Sequence, residues 1–241
     1  MKQIVFISLI IVNLSLLAQK KYDKIYEYGI YTKNWALVEN NGLYGFIEEN
    51  GIEIVETKYD EILDFGIYKQ DWALVRLDSL FGFIDSDGIE IISPIYNEIS
   101  DFGIYRKNWA LVQKKGQYGF IDSDGIEIVE TKYDKIYDYG VYQRNWALVQ
   151  KKGQYGFIEE NGIELVEIKY DKIYDFGEYH KNWALVEKDK QFGFIDTDGI
   201  EIVKPKYDKI GDVILNKNWI KVYLNNKELF IDEDGIEIIT N

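Results

Sequence analysis

The chain repeats itself with a step of 37 residues, and this period limits the possible folds more than any other feature. A fixed period of this size is typical of tandem supersecondary units that bury their apolar faces on one another. A tryptophan marks one point of every copy: Trp35, Trp72, Trp109, Trp146, Trp183 and Trp219. The predicted copies span roughly residues 20–57, 58–94, 95–131, 132–168, 169–205 and 206–241.

The third copy predicts four short strands, which we call a to d. Strand a is expected at Tyr96–Phe102, b at Trp109–Gln113, c at Gln117–Asp122 and d at Ile126–Val129. Segments of this length, rich in Val, Ile, Phe, Tyr and Trp and separated by Gly, Asn and Asp, indicate an all-β fold.

The link between b and c predicts a tight hairpin, because the first copy has Asn41-Gly42 there and both residues tolerate positive φ. The register then separates a face of bulky side chains from a face of small ones, so the large face of one unit can pack on the small face of the next. A glycine recurs inside strand c, where we expect an aromatic ring to approach: Gly45, Gly82, Gly119, Gly156 and Gly193.

The longer link from Gly103 to Asn108 is expected to cross to the next unit, which groups the strands in the order b-c-d-a. In that grouping the first strand a has no partner unless it completes the last sheet. We therefore predict six four-stranded meander units in a six-bladed, propeller-like ring. The alternative is an open superhelical array of the same units, with the end copies as caps.

These motifs resemble the WG-repeat family of tandem bacterial β-repeats. The third copy carries Ala110-Leu111-Val112, Tyr118-Gly119-Phe120-Ile121-Asp122, Gly125 and Tyr133-Asp134, and Pro94 and Pro205 occupy one repeat position before Tyr-Asp or its Asn variant. The resemblance covers all six copies. One departure is that Tyr or Phe precedes the strand-c glycine where the family name implies Trp. The resemblance implies a repeat module, often exported, without a common activity.

The amino terminus and the charge predict an exported, acidic protein. Residues 1–18 have the features of a signal peptide, and 19–241 are expected to form a single repeat domain. Without cysteine, the fold needs a large core in place of disulfides. A net charge of −14 argues against nucleic-acid partners, and no segment of the mature chain is apolar enough to span a membrane. We expect a periplasmic, cell-surface or extracellular location.

The sequence offers no catalytic set, so we predict a non-enzymatic protein. It has no Cys and a single His, His180, which is expected to be an exposed loop side chain. No nucleophile elbow, phosphate loop or zinc spacing occurs. The copies are also nearly interchangeable, whereas a catalytic site needs different residues in different roles.

Paired aspartates before a glycine are candidate calcium ligands: Asp85, Asp87, Asp122, Asp124, Asp196 and Asp198. The simpler interpretation is that Asp-Gly only sets the turn. In a two-residue turn Asp122 would face Glu127, and like charges directly opposite are destabilising unless a cation neutralises them. The pattern lacks the ligand spacing of an EF-hand. Otherwise no cofactor is expected.

The candidate ligand-binding residues are tyrosines of the a–b link: Tyr31, Tyr68, Tyr105, Tyr142 and Tyr179. Aromatic rings give large contact area with few rotors to immobilise. We therefore predict a module that binds a protein or glycan partner, the alternative being a structural envelope repeat whose acidic turns take up divalent cations. A hydrolase is the third possibility.

Overall fold

A computed structural model describes residues 21–238. The predicted signal peptide, residues 1–18, lies outside the described residues. The described chain forms six antiparallel four-stranded sheets. The first contains β1 (Lys24–Ile25), β2 (Trp35–Asn40), β3 (Leu43–Glu48) and β4 (Glu53–Tyr59). The second contains β5 (Glu61–Ile62), β6 (Trp72–Leu77), β7 (Leu80–Asp85) and β8 (Glu90–Tyr96).

The remaining sheets follow in chain order. The third contains β9 (Glu98–Ile99), β10 (Trp109–Lys114), β11 (Gln117–Asp122) and β12 (Glu127–Tyr133). The fourth contains β13 (Lys135–Ile136), β14 (Trp146–Lys151), β15 (Gln154–Glu159) and β16 (Glu164–Tyr170). The fifth contains β17 (Lys172–Phe176), β18 (Trp183–Lys188), β19 (Gln191–Asp196) and β20 (Glu201–Tyr207). The sixth contains β21 (Lys209–Ile214), β22 (Trp219–Leu224), β23 (Lys227–Ile231) and β24 (Glu237–Ile238).

Each sheet is a simple meander in the order a-b-c-d, which confirms the predicted all-β repeat but corrects the b-c-d-a grouping. Strand a pairs with strand b of its own copy: Lys24 pairs with Glu39 and Ile25 with Val38. The a–b link folds back as a loop and does not cross to the next unit. β1 therefore already has a partner and is not left to complete the last sheet. The ring and the open array both stay predictions.

Strand d is longer than expected, and strand a is shorter. β4 runs to Tyr59, and the strand of the next sheet begins two residues later at Glu61. In the same way, the Tyr of every later Tyr-Asp or Tyr-Asn pair ends one sheet. The Asp or Asn of the pair holds the b–c turn of the next sheet, since the Asn41 N–H donates to Asp23 Oδ2 over 2.7 Å and the Lys115 N–H to Asn97 Oδ1 over 2.8 Å.

The chain divides into two compact units. The first comprises the described residues through Gly116 together with Phe120–Glu127, and it holds the first and second sheets. The second comprises Gln117–Gly119 and the described residues from Ile128 onward, and it holds the fourth, fifth and sixth sheets. The residues of the third sheet are divided between the two.

The b–c hairpins have the predicted register. In the first sheet Val38 pairs with Gly45, and the turn residues Asn41 and Gly42 have φ of 54° and 77°. These are the positive values of a two-residue type I′ turn, which suits the right-handed twist of the strands. The second, fourth and fifth sheets share this register.

Large faces pack on small faces, as the hairpin pattern predicted. Between the first two sheets, Trp35 and Phe46 belong to one apolar cluster with Ala73, Val75 and Ile84. Equivalent clusters join the second sheet to the third, the fourth to the fifth, and the fifth to the sixth. Phe46 and Ile84 are completely buried. Trp35, Trp72, Trp146 and Trp183 are buried in these clusters, whereas Trp109 and Trp219 are half-buried.

The strand-c glycines face backbone, not an aromatic ring, which corrects that expectation. A Cβ on Gly156 would lie 2.4 Å from the Val166 carbonyl oxygen of the same sheet. The cause is a bulge in strand d, where the pairing jumps from Phe157–Val166 to Tyr155–Tyr170. Extra residues in a bulge curve over the facing strand, and glycine leaves room for them. Pro94 occupies the bulge opposite Gly82.

A polar latch joins strand d of one sheet to strand d of the next. The Tyr59 hydroxyl donates to Glu90 Oε1 over 2.6 Å, and Lys58 Nζ lies 2.7 Å from the same oxygen. Equivalent latches join Tyr133 and Lys132 to Glu164, Tyr170 and Lys169 to Glu201, and Tyr207 and Lys206 to Glu237. Strand d of the second sheet has Ile95 in place of the lysine.

Candidate binding clefts between consecutive sheets

The a–b loop holds its tyrosine by backbone hydrogen bonds. In the fourth sheet the Gly140 N–H donates to the Trp146 carbonyl over 3.1 Å, and the Trp146 N–H donates to the Gln143 carbonyl over 3.0 Å. Gly140 has a φ of 85°, a backbone conformation that glycine adopts readily and residues with a side chain rarely adopt. The loop therefore presents Tyr142 at a fixed position over its own sheet.

Each predicted ligand-binding tyrosine lies half-buried with its ring against a buried phenylalanine of strand c. The Tyr142 and Phe157 ring centroids are 5.2 Å apart at 65°, an edge-to-face contact. The same contact holds Tyr31 on Phe46, Tyr68 on Phe83, Tyr105 on Phe120 and Tyr179 on Phe194, at 5.1–5.6 Å. One part of every ring thus supports the core, and the rest faces the surface.

An open cleft of about 450 Å³ lies beside Tyr142, between the fourth sheet and strand a of the fifth. Tyr137, Tyr142 and Tyr155 form its aromatic walls, and Leu148 and Ile173 contribute apolar side chains. Asp138, Asp171 and Lys172 also line it. The cleft combines aromatic area with both signs of charge, which is the composition of a recognition site.

The cleft recurs at other interfaces with different sizes and walls. Between the fifth and sixth sheets it has about 250 Å³ and is lined by Tyr174, Tyr179 and Phe192. Between the second and third sheets it has about 180 Å³, where Tyr68 and Phe81 are the aromatic lining residues. The number of tyrosines therefore falls from three to two to one as the volume decreases.

A hydrogen bond fixes Tyr155 in the cleft between the fourth and fifth sheets. Gln150 Nε2 donates to the Tyr155 hydroxyl over 2.9 Å. Burial and a hydrogen bond with Tyr137 raise the pKa of Tyr155. Burial, followed by the negative charge of Asp175, raises the pKa of Tyr142. The hydroxyls of Tyr142 and Tyr155 are therefore neutral at physiological pH and can donate or accept hydrogen bonds.

Sequence reasoning missed two of the three tyrosines of this cleft. Tyr137 directly follows strand a, and Tyr26 and Tyr174 occupy the same repeat position. Tyr155 is the residue before the strand-c glycine, where we noted only a departure from the family pattern. Aromatic residues recur at both positions with the 37-residue period, so the sequence did contain a signal for them. What was missing was the a-b-c-d order, which places strands a and c on either side of strand b.

The aspartate pairs form turns of their own. Asp122 Oδ1 accepts hydrogen bonds from the N–H groups of Asp124 and Ile126, both over 2.9 Å. Asp85, Asp196 and Asp232 make the equivalent contacts in their turns. Asp87, Asp124 and Asp198 are exposed. In the first copy, Asn50 stands at the position of Asp124, and its amide oxygen accepts from the Ile52 N–H over 2.8 Å.

Asp122 does not face Glu127, as the calcium prediction assumed, because the c–d turn is one residue longer than a two-residue turn. The Asp122 N–H donates to the carbonyl of Ile126 over 2.9 Å, so Asp122 faces Ile126 and not Glu127. The first sheet has the same register: Glu53, the counterpart of Glu127, pairs with the apolar Ile47 and not with an acidic residue. Among residues 21–238 no group of three or more His, Asp or Glu side chains is arranged to hold a metal ion. Calcium binding stays a prediction.

His180 is half-buried and not an exposed loop side chain. Its ring centroid lies 5.1 Å from that of Trp183, and its Nδ1 is buried with no hydrogen-bond partner in the described structure. Lys69 Nζ and the Arg106 guanidinium lie over the tryptophans of their own copies in the same way. In these three copies the residue three positions before the tryptophan therefore covers its ring. Within residues 21–238 no helix is long and apolar enough to cross a membrane.

Comparison with known proteins identifies the repeat. The family described as "WG containing repeat" matches residues 44–80, 81–118, 118–155, 155–191 and 192–227. No functionally curated protein matches the chain.

Solved structures with similar arrangements are distant. BamB from Moraxella catarrhalis is 11% identical, with a TM-score of 0.27 over 90% of this chain and 75% of that one. Hsv2 from Kluyveromyces lactis is 9% identical, with a TM-score of 0.25 over 90% of this chain and 84% of that one. PorZ, a surface component of the type-IX secretion system of Porphyromonas gingivalis, is 12% identical, with a TM-score of 0.27 over 90% of this chain and 32% of that one.

Proposed function

Because the chain belongs to the WG-repeat family, we propose that it is a non-enzymatic binding module whose inter-sheet clefts engage a protein or glycan partner. The observation that supports this most is the recurrence of one cleft at three interfaces (second–third, fourth–fifth and fifth–sixth), with a half-buried tyrosine fixed at the same place in each. Repeated, pre-formed sites suit multivalent recognition, since linked weak contacts add avidity without new contacts at any one site.

The chemistry of the clefts supports binding and not turnover. Tyrosine, leucine and isoleucine dominate the lining of the largest one, and its ionisable groups are Asp138, Asp171 and Lys172. Asp171 is already engaged, because its Oδ2 accepts from the Asp189 N–H over 2.6 Å. A hydrolytic site needs a nucleophile or activated water next to a base with a shifted pKa. We further propose that residues 1–18 direct export, which gives the module access to partners outside the cytoplasm.

The test is a binding screen of the purified protein against a glycan array and a panel of proteins, with Tyr142→Ala as the site variant. We expect a ligand whose affinity falls roughly tenfold in the variant, in line with loss of one aromatic contact. Lys204→Ala is the matched control, because Lys204 is exposed on β20 outside the clefts. Equal loss in both variants, or catalytic turnover of a bound ligand, would contradict the proposal.

A further inference from the structure

The loops at one end of the sheets carry rows of exposed aliphatic side chains. In an antiparallel meander the a–b loop and the c–d turn lie at the same end of the sheet. Within residues 21–238, every exposed isoleucine, leucine or valine except Ile95 lies in an a–b loop or a c–d turn. In the first three sheets they form two rows, one from the a–b loops (Ile30, Ile67 and Ile104) and one from the c–d turns (Ile52, Ile89 and Ile126).

Contacts between these loops and turns show that they share one face. The Tyr28 hydroxyl, in the a–b loop of the first sheet, lies 3.5 Å from the Glu48 carbonyl oxygen, where the c–d turn begins. Lys69 Nζ, in the a–b loop of the second sheet, donates to the Ser123 carbonyl in the c–d turn of the third. All of these residues belong to the first compact unit. We define its loop face as the a–b loops 27–34, 64–71 and 101–108 with the c–d turns 49–52, 86–89 and 123–126.

Hydrogen bonds hold the backbone of the c–d isoleucines, so their side chains are presented at fixed positions. The Ile89 N–H donates to Asp85 Oδ1 over 2.8 Å, and the Ile89 carbonyl accepts from the Asp85 N–H over 2.9 Å. Ile126 makes the same two contacts with Asp122. The six isoleucines of the two rows are 57–64% exposed. Single exposed apolar residues are normal on a protein surface, but aligned rows of them are typical of an interaction site.

The loop face is negatively charged. Its acidic residues are Glu27, Glu49, Asp64, Asp71, Asp87, Asp101 and Asp124, and its basic residues are Lys33, Lys69, Arg106 and Lys107. Two of the basic residues, Lys69 and Arg106, lie over tryptophans of their own copies. A second copy of the same face or an anionic lipid surface would be repelled. A complementary partner therefore carries basic residues around its apolar ones.

We propose that the loop face of the first unit binds a basic amphipathic helix of a protein partner. This surface is separate from the clefts, because none of its six isoleucines lines any of the three clefts described above. The partner helix would lay its apolar stripe along the two isoleucine rows, with its lysines or arginines against the carboxylates that flank them.

The repeat of the rows favours a helix over an extended segment. Each sheet contributes one isoleucine to each row, and sheets that pack face to face lie about 10 Å apart. An amphipathic helix presents a pair of apolar residues, at heptad positions a and d, every seven residues, which is about 10.5 Å along its axis. An extended strand also advances about 10 Å in three residues, but those residues point to opposite sides.

The experiment measures the affinity of the full chain for a synthetic four-heptad peptide with leucine at a and d and lysine at every other position. A scrambled peptide of the same composition removes the apolar stripe, and a peptide with glutamate in place of lysine reverses the charge. We expect the lysine peptide to bind roughly tenfold or more tightly than either. High salt should weaken its binding, because exposed charges are screened.

The matched variant removes part of one row without changing the charge. Ile67→Gln with Ile104→Gln places polar residues where the fifth copy has Glu178, so the chain already folds with a polar residue at this position. We expect an unchanged melting temperature and roughly tenfold weaker binding of the lysine peptide. Ile95→Gln is the control, because Ile95 is exposed on strand d outside the loop face and other sheets have a lysine there. It should bind as the parent protein does.

Each other outcome would overturn the inference. These are no binding of the lysine peptide, equal affinity for the scrambled or glutamate peptide, or the same loss in Ile95→Gln as in the double variant. Self-association that the double variant abolishes would assign the face to a second copy. Sedimentation with phosphatidylcholine vesicles that it abolishes would assign the face to a lipid surface. The proposed function of the clefts would stand in all of these cases, because its test depends on Tyr142.

Discussion

The packed middle of each interface and the cleft beside it are built from the same sheets, but their residues differ in how much they vary between copies. In the middle, Trp146 and Phe157 lie against Ala184 and Val186, and the equivalents in the neighbouring interfaces are nearly identical. In the cleft, Tyr137 is replaced by Leu63 and Tyr155 by Phe81 in the second copy. The middle is therefore the constant part of the repeat, and the cleft is the part whose side chains differ between copies.

The largest effect is expected from the middle of the interface. Trp146→Ala should destabilise the protein by about 4 kcal/mol, because it removes a large buried ring and leaves a cavity. Tyr142→Ala, in the adjacent cleft, should cost about 1 kcal/mol, since its half-buried ring can be replaced by water on one side. Urea unfolding of both variants measures the difference. Equal losses would show that the middle and the cleft are not energetically distinct.

A nearly equal effect is expected where strand c meets the bulge. Gly156→Ala places a Cβ 2.4 Å from a backbone carbonyl oxygen, which cannot move without distorting the ladder. We expect a loss of about 3 kcal/mol. The sixth copy has Leu229 at the corresponding position, so Leu229→Ala provides a control in which no backbone blocks the Cβ. A loss below 1 kcal/mol for Gly156→Ala would show that the bulge is free to relax.

The sequence predicted the features that are local and missed those that depend on strand order. The Asn41-Gly42 turn fixes a register within a few residues, so the hairpin and its two faces followed directly. Strand a is only Lys135–Ile136 in the fourth sheet, too short for any alternation, and its loop is held by backbone hydrogen bonds that no side-chain pattern reveals. The cleft is formed beside strands a, b and c, so it could not be predicted from the incorrect b-c-d-a strand order.

The c–d turn was misjudged for a similar reason. Asp124-Gly125 is compatible with either a two-residue turn or a longer one, since glycine at positive φ serves both. The choice is made by Asp122, whose carboxylate accepts two backbone N–H groups. The strand-c glycines were recognised as close-approach positions, but a bulge in the facing strand leaves no sequence signature that distinguishes it from a neighbouring ring.

Removing one latch hydrogen bond is expected to have an intermediate effect on stability, and the effect depends on pH. Tyr170→Phe removes the hydrogen bond to Glu201 and should cost about 1 kcal/mol at neutral pH. Tyr22→Phe is the matched control, because the Tyr22 hydroxyl is buried with no hydrogen-bond partner among the described residues. Removing that unpaired hydroxyl should be neutral or stabilising. A loss in the control as large as in Tyr170→Phe would show that packing, not the latch, is responsible.

The raised pKa values of the tyrosines that end the d strands predict that the protein loses stability at alkaline pH. Burial raises the pKa of Tyr59, Tyr170 and Tyr207 far above the ordinary value of 10, and burial with Glu127 raises that of Tyr96 to about 12. A group whose folded pKa is raised contributes stability that is present below pH 10 and is lost as pH rises above it. Stability measured by urea between pH 8 and pH 12 should therefore fall steeply above 10. Tyr170→Phe should fall less steeply, and an unchanged slope would contradict the assignment.

The acidic turns should give the smallest effect, and they are where calcium binding can still be tested. If Asp122 acts only as a hydrogen-bond acceptor, Asp122→Asn should change stability by less than about 0.5 kcal/mol, because an amide oxygen can accept the same two N–H groups, those of Asp124 and Ile126. Asp122→Ala should cost more, since two backbone donors lose their partner. Calcium should leave the melting temperature of all three proteins unchanged. A rise on adding calcium that is present with Asp122 and absent in Asp122→Asn would instead assign a cation to the turn, because only the carboxylate brings the charge that a calcium ion requires.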